Sequence, residues 1–243
     1  MPRIVIMGAS LGIGLMVAEA FASRGVKVGV AARRTDRLEA LREKYPELVE
    51  CECIDITQAD APGRLMGLVE RLGGMDIYFH VSGIGYDNPL LDPEREADMI
   101  ATNAGGFARM LSTAYRYFRD TRRRGRIVAV TSVAGTNGIG DMAAYSASKK
   151  CAQTYMVALE QLAFKQGADV TFTDIRPGWI RTPLLKEDRS YPLEMKLDEV
   201  LPLFIRAIVK HPRVVYIDWR WRAVTALWRL VPDCVWTHLN VCF

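Results

Sequence analysis

Residues 8–14 read Gly8-Ala9-Ser10-Leu11-Gly12-Ile13-Gly14, and two chemistries compete for them. The first five fit G-x-S-x-G, the sharp turn that lifts a nucleophilic serine to the top of a hydrolase sheet. All seven fit a glycine-rich turn that seats a dinucleotide's phosphates against a helix N-terminus. Each reading wants a strand before the stretch and a helix after it, so place in the chain has to decide. A hydrolase elbow follows several strands, because an earlier strand's loop supplies part of the oxyanion hole. Here only the apolar run 3–7 (RIVIM) precedes Ser10. The elbow also leaves Gly14 idle. A nucleotide turn uses Gly8 for the bend, Gly12 for close approach of phosphate and Gly14 for helix–strand packing. Ser10, with Leu11 and Ile13 beside it, is therefore expected to line a phosphate cradle. Histidines at 211 and 238 do not rescue the elbow, since a histidine somewhere downstream is expected by chance.

Outward from the turn, β-rich runs alternate with longer helical stretches. The runs are 3–7, 26–31 (VKVGVA), 48–54 (LVECECI), 75–81 (MDIYFHV), 126–132 (RIVAVTS), 169–175 (DVTFTDI) and 213–217 (RVVYI). One intervening helix announces its start with Asp92 as N-cap, Pro93 at the first helical position, then Glu94 and Glu96. Strands alternating with helices specify an α/β fold: a single Rossmann-type, doubly wound domain with a seven-stranded parallel sheet covered by helices on both faces. It is expected to span residues 1–218, with 219–243 as a Trp/Arg-rich extension.

The whole-chain numbers narrow the function classes. A chain of 243 residues, half of them hydrophobic, supports one large core and excludes global disorder. The net charge, 32 − 28 = +4, is too slight to imply nucleic acid as a partner. The densest basic run, Arg122-Arg123-Arg124-Gly125-Arg126, follows an apparent helix and is read as a solvated helix end. The five cysteines lack zinc-like spacing, so no metal site is expected; Cys51 and Cys53 are read as small buried hydrophobes on one side of a strand. The first strand begins at residue 3, which leaves no room for a leader in this sequence, and the absence of a disulfide framework agrees with a reducing compartment. The expectation is cytoplasmic.

The end of the second strand speaks to which dinucleotide. An NAD site offers an acid there for the ribose 2′-hydroxyl. This chain offers Arg33 and Arg34 after Ala32. A carboxylate would repel a 2′-phosphate and a guanidinium binds one through charge-assisted hydrogen bonds. NADP(H) is therefore expected over NAD(H).

Tyr145-Ser146-Ala147-Ser148-Lys149 sets a tyrosine and a lysine one helical turn apart. Ser132 stands at the end of the fifth strand run, where open α/β sheets bind ligands. A tyrosine at its reference pKa of about 10 is a poor base near neutrality. An ammonium about 6 Å away, at an effective dielectric near 20, would favour the tyrosinate by roughly 2.8 kcal/mol, or about two pK units.

Gly8-x-x-x-Gly12-x-Gly14, Asn103, Ser132, Tyr145-x-x-x-Lys149 and Pro177-Gly178 occur in this order, and over about residues 3–217 the chain resembles the short-chain dehydrogenase/reductase family. The resemblance implies hydride transfer between a nicotinamide and a carbonyl or alcohol, with Tyr145 as general acid or base. It implies that Ser132 holds the substrate oxygen, that Lys149 holds the nicotinamide ribose and lowers the tyrosine pKa, and that Asn103 orders a water in a proton relay. Asp55 and Ile56 would border the adenine; Pro177, Gly178, Ile180 and Thr182 would border the nicotinamide. Relatives of this kind imply a homodimer or homotetramer.

The chain departs from the family in two places. His80-Val81-Ser82-Gly83 stands where an Asn-Asn-Ala-Gly run is common, so this part of the sheet needs another brace. Met7 replaces a common threonine. No catalytic group is lost, although a catalytically silent NADP-binding protein is the alternative from another class. Tyr86, Ile139, Met142, Trp179, Leu184 and Leu185 suggest an apolar substrate pocket. In the extension, Trp221, Val224, Trp228 and Val231 recur at helical spacing beside Arg220, Arg222 and Arg229. Arg229 and Pro232 exclude a spanning helix. The stripe could pack on the domain, on a second subunit or on a membrane surface; in the last case long-chain lipid ketones become plausible substrates.

Overall fold

The computed structural model describes residues 2–182 and 191–239. Strands β1 (Arg3–Met7), β2 (Lys27–Ala32), β3 (Val49–Cys53), β4 (Ile77–His80), β5 (Gly125–Val130), β6 (Val170–Pro177) and β7 (Val214–Ile217) pair in parallel. Their order is β3-β2-β1-β4-β5-β6-β7. Between them run α1 (Gly12–Ala22), α2 (Asp36–Lys44), α3 (Ala61–Arg71), α4 (Pro93–Ile100), α5 (Phe107–Thr121), α6 (Ala143–Gln166) and α7 (Leu197–Lys210), followed after β7 by α8 (Trp219–Trp228) and α9 (Asp233–Trp236).

Period-two alternation builds both layers. Ile4, Ile6, Val28, Val30 and Phe79 face α1, α2 and α7 through Val17, Leu38 and Phe204. Val5, Met7, Tyr78, Ile127 and Ala129 face α3, α5 and α6 through Leu65, Met110 and Met156. All seven strands expected from sequence are present, with no end shifted by more than two residues. The shift at the end of β5 matters. β5 stops at Val130, so Ser132 lies beyond the strand and caps the short 3-10 turn Val133–Gly135 by accepting the Ala134 N–H at 3.1 Å.

The order of successive strands reverses between β1 and β4, neighbours at the centre of the parallel sheet. Loops leaving the two strands there diverge above and below the sheet and open a crevice. Gly8–Gly14 leaves β1 and Val81–Gly85 leaves β4, so the cradle stands on one wall of that crevice.

The extension lies on the domain. Trp221 is almost fully buried against the Pro177-Gly178 bend, and Val224 and Trp228 pack on the first core. Trp228 and Trp236 meet edge to face at 5.4 Å, and the Trp236 indole N–H donates to the Gly138 carbonyl at 2.7 Å. Cys53, expected to be buried, is exposed: β3 is the sheet's edge, and its thiol turns to the Arg33 carbonyl at 3.5 Å. Arg122 ends α5 in the left-handed conformation and the arginine run that follows is solvated.

Candidate active site

The cradle has the geometry its glycines anticipate. Gly8 has φ +98° and Gly12 φ +53°, a region that favours glycine. A Cβ on Gly8 would meet the Ser82 nitrogen at 2.6 Å, and one on Gly14 would overlap the Gly8 carbonyl. The turn therefore closes on itself and on β4's exit. α1 starts at Gly12 without a side-chain cap, so its first N–H groups are open to an anion.

From this turn a cleft of about 300 Å³ runs across the crevice. Gly8, Ser10, Leu11, Gly12 and Ile13 form one wall; Arg33 and Arg34 close one end with Asp55 and Ile56; Ser82, Gly83, Ile84 and Thr182 lead toward the other. Among the described residues neither Arg33 nor Arg34 enters an ion pair, so both guanidiniums are available at the cleft end. Asp55 is less free. Its Oδ1 accepts the Thr57 N–H at 2.9 Å and the Thr57 hydroxyl at 2.8 Å, which fixes the loop after β3.

Behind Gly83, which lines the cleft, lies the polar group of α6. Lys149 is 8 % exposed, with Nζ 5.5 Å from the centre of the Tyr145 ring and 3.4 Å from the Val130 carbonyl it donates to. Ser132 lies close enough to the Tyr145 hydroxyl to draw its pKa down. A Cβ on Gly83 would lie 3.5 Å from Lys149 Nζ, and one on Gly85 would touch the Tyr145 ring at 3.0 Å, so these glycines let the strand exit pass over both side chains.

Asn103 lies in a π-helical turn, Ala101–Gly106, between α4 and α5. Such turns accompany functional sites because the extra residue re-aims one side chain. Asn103 accepts the Ile84 N–H at 2.9 Å, donates to the Ile84 carbonyl at 2.7 Å, and reaches Ser148 Oγ at 3.3 Å. It ties β4's exit to α6, and its carboxamide oxygen also lies beside Gly83.

Burial dominates the electrostatics. It pulls Lys149 down to about 8, with the Asp174 carboxylate opposing the fall. Burial also pushes the Tyr145 phenol above its ordinary 10, and the nearby Ser132 side chain only partly offsets that. This corrects the sequence-based expectation of a tyrosine already lowered by its lysine. The ammonium, 5.5 Å from the ring centre, is itself weakened by burial, so desolvation prevails.

The brace that replaces the missing asparagine is His80. It is fully buried, takes the Tyr78 hydroxyl at Nδ1 at 3.0 Å, and meets Phe107 edge to face at 5.0 Å. Burial and the nearby Lys149 charge lower its pKa to about 3, so it is neutral and structural.

An apolar wall stands beside the tyrosine. Ile139, Met142 and Ala134 form a buried cluster with Tyr145 and Trp179 packed against it. Trp179 lies nearly stacked on Tyr191, with ring centres 4.6 Å apart. Tyr86 does not join this wall; it is 43 % exposed on the loop after β4. Leu184 and Leu185 lie outside the described residues. Pro177 and Gly178 end β6 beside β7, and Ile180 is buried and bridges to Met195.

Three positioning residues escaped sequence reading. Glu96 Oε2 accepts the Ala144 N–H at 3.0 Å and caps α6 from another helix. Gln153 donates to the Ser132 carbonyl at 2.8 Å. Asp174 accepts from the Thr131 hydroxyl at 2.6 Å and pairs with Arg176 at 2.7 Å behind the site. Glu96 had a faint signal as an acid in a helix's first turn; the other two had none, because their partners lie on different elements.

Comparison with known proteins places this geometry. The family model for short chain dehydrogenase matches residues 2–192. An uncharacterized oxidoreductase of Myxococcus xanthus is 33 % identical over 236 residues, covering 94 % of this chain and 92 % of that protein. An alcohol dehydrogenase from Thermococcus sibiricus, solved in complex with 5-hydroxy-NADP, is 26 % identical with a TM-score of 0.75, covering 89 % of this chain and 95 % of that one. A short chain dehydrogenase from Burkholderia cenocepacia J2315 in complex with NADP shares the fold at a TM-score of 0.84 and 20 % identity, covering 99 % and 98 % of the two chains.

Proposed function

The chain belongs to the short-chain dehydrogenase/reductase family and is an oxidoreductase of that family; from that premise we propose that it is an NADP(H)-dependent enzyme interconverting an apolar carbonyl compound and its secondary alcohol. The observation that carries the reading is one cleft with the polar group of α6 directly behind its wall. It runs from Arg33 and Arg34, which form no ion pair among the described residues, past open helix N–H groups to Gly83, where a Cβ would lie 3.5 Å from Lys149 Nζ.

The residues present fit the cofactor. The glycine cradle has no Cβ to fill the space where phosphate would approach, and α1 presents its N-terminus there. Arg33 and Arg34 would take a 2′-phosphate, and Asp55 and Ile56 would flank the adenine. Lys149, through Gly83's open side, would reach the nicotinamide ribose, with Ile180 and Thr182 beyond it. The Thermococcus sibiricus enzyme, solved with an NADP derivative, supports the same cofactor type here. When bound, the nicotinamide supplies or accepts the hydride.

What the chain contributes is a proton and a pocket. In the reducing direction Tyr145, held above its ordinary pKa, stays a phenol at neutral pH and can protonate the forming alkoxide. Ser132, beside the Tyr145 hydroxyl, would share the substrate oxygen with it, so two donors would meet the developing charge. Lys149 at about 8 is mostly an ammonium near neutrality and orients what lies above the tyrosine. Asn103, bonded to Ser148 and to both Ile84 backbone groups, holds the route by which protons would return to Lys149. Ile139, Met142 and Trp179 make the substrate face apolar.

The test is a screen of apolar ketones with NADPH, with Tyr145→Phe as control. Loss of the general acid should cut turnover about 10²–10⁴-fold while leaving NADPH binding intact. A folded wild type that binds NADPH and reduces nothing would favour the silent-binder alternative. Turnover unchanged in Tyr145→Phe would remove the proposed role of that residue.

A further inference from the structure

Four arginines from three segments meet at a second cavity, remote from the cradle. It has a volume of about 410 Å³ and is lined by Arg176 of β6, Arg213, Val214 and Tyr216 at β7, and Arg222, Thr225, Ala226 and Arg229 at α8. Arg176 is buried and spent on Asp174 at 2.7 Å; Arg213 pairs with Glu160 at 2.7 Å. Among the described residues the other two have no carboxylate partner. Arg229 donates to the Tyr216 hydroxyl at 2.9 Å, and the Arg222 guanidinium has no partner among the described residues. Two positive charges on one helix face therefore converge on a concave site with no anion to balance them, and guanidinium forks of this kind match phosphate oxygens.

The helix that carries them has another exposed side. At 100° per residue, Trp219, Ala223, Leu227 and, in the turn just past α8, Leu230 fall on one stripe, directly beside the stripe of Arg222, Ala226 and Arg229. Trp219, Leu227 and Leu230 are 76 %, 65 % and 78 % exposed. Arg220, tied to Asp218 at 2.8 Å, borders the stripe's other flank. The helix's third face, through Trp221, Val224, Trp228 and Thr225, is the one already used in packing on the domain. An apolar stripe edged by arginine on both flanks, on a rigidly anchored helix, is suited to lie in a headgroup layer. Residues 219–239 carry three arginines against the single acid Asp233, so the charge complements an anionic surface.

We propose that the Arg176–Arg213–Arg222–Arg229 cavity receives the phosphate of an anionic phospholipid, and that α8 docks on the membrane with Leu227 and Leu230 in the acyl boundary. No helix among the described residues is long and apolar enough to cross a membrane; the contact is peripheral. It does not depend on the catalytic assignment, because none of these residues belongs to that site.

The experiment uses the full chain with vesicles of phosphatidylcholine alone or with phosphatidylglycerol at about a third of the lipid, read by co-sedimentation at 0.15 M salt. The proposal requires binding to the anionic vesicles. Arg222→Gln with Arg229→Gln should weaken it about 30-fold, two cations at about fivefold each. Leu227→Ser with Leu230→Ser should weaken it at least tenfold, with NADPH binding and thermal melting retained in both variants. Calorimetric titration with pyrophosphate supplies the other arm: uptake of pyrophosphate without vesicle binding would make the cavity a site for a soluble phosphate ligand and overturn the lipid assignment. No vesicle binding, or equal binding by all variants, overturns it too. So does a wild-type dimer that Leu227→Ser with Leu230→Ser dissociates, since the stripe would then belong to a second copy.

Discussion

Lys149 is the residue where stability and activity oppose each other. Its ammonium is buried at a pKa of about 8, below the ordinary 10.5. A depressed lysine destabilises the fold while it is charged: between about pH 8 and 10.5 the unfolded chain holds more protons, so this group's contribution to stability rises with pH over that window. Lys149→Met removes the buried charge and keeps the stem. It should raise stability at pH 7 by about 2–3 kcal/mol, visible as a melting temperature several degrees higher, while turnover is lost. The same value sets a pH profile. Ketone reduction by wild type should fall as pH rises through about 8, because Lys149 discharges before the raised Tyr145 phenol does. A variant less stable than wild type at pH 7 would contradict the burial argument, and a rate flat to pH 10 would contradict the lysine's role.

At the scale of elements, the cradle is held by backbone contacts that admit no side chain. A Cβ at residue 14 would overlap the Gly8 carbonyl and press Val81 Cγ1 at 3.0 Å. Gly14→Ala should therefore open the β1–α1 turn, cost about 1–3 kcal/mol in chemical denaturation and abolish NADPH binding. Unchanged binding in that variant would remove the cradle's tight geometry from the account. The glycines, the seven strands and the Asp92 cap, which accepts the Glu94 N–H at 3.1 Å, were legible because each depends on a few neighbouring residues. The π-turn at 101–106 was not. Its sequence, Ala-Thr-Asn-Ala-Gly-Gly, reads as continued helix, and the register slips where Asn103 is held by the Ile84 backbone, a partner 19 residues away. Ser132's place beyond β5 was missed for a similar reason: Thr131 and Ser132 extend the β-like run, but their side chains turn to Asp174 and to the Ala134 N–H.

For the whole molecule, motif order carried the site further than composition did. Gly8 and Thr182 line one cleft because parallel topology gathers the strand ends, so residues 174 positions apart in sequence converge. The extension resisted sequence reading. Its tryptophan stripe named no partner, and the structure sets Trp221 behind the catalytic wall and Trp236 on the Gly138 carbonyl. The arginine cavity was equally hidden, since its arginines come from three separate segments, β6, the start of β7 and α8. The central claim rests on the other basic site, where Arg33 and Arg34 end the cleft without a carboxylate partner. Parallel titrations of the purified protein with NADPH and NADH, read by nicotinamide fluorescence, test it most directly. The account predicts NADPH binding at least tenfold tighter, with the difference erased in Arg33→Ala with Arg34→Ala. Equal affinity for the two in wild type would contradict the cofactor assignment, and a folded protein that bound neither would contradict the cradle.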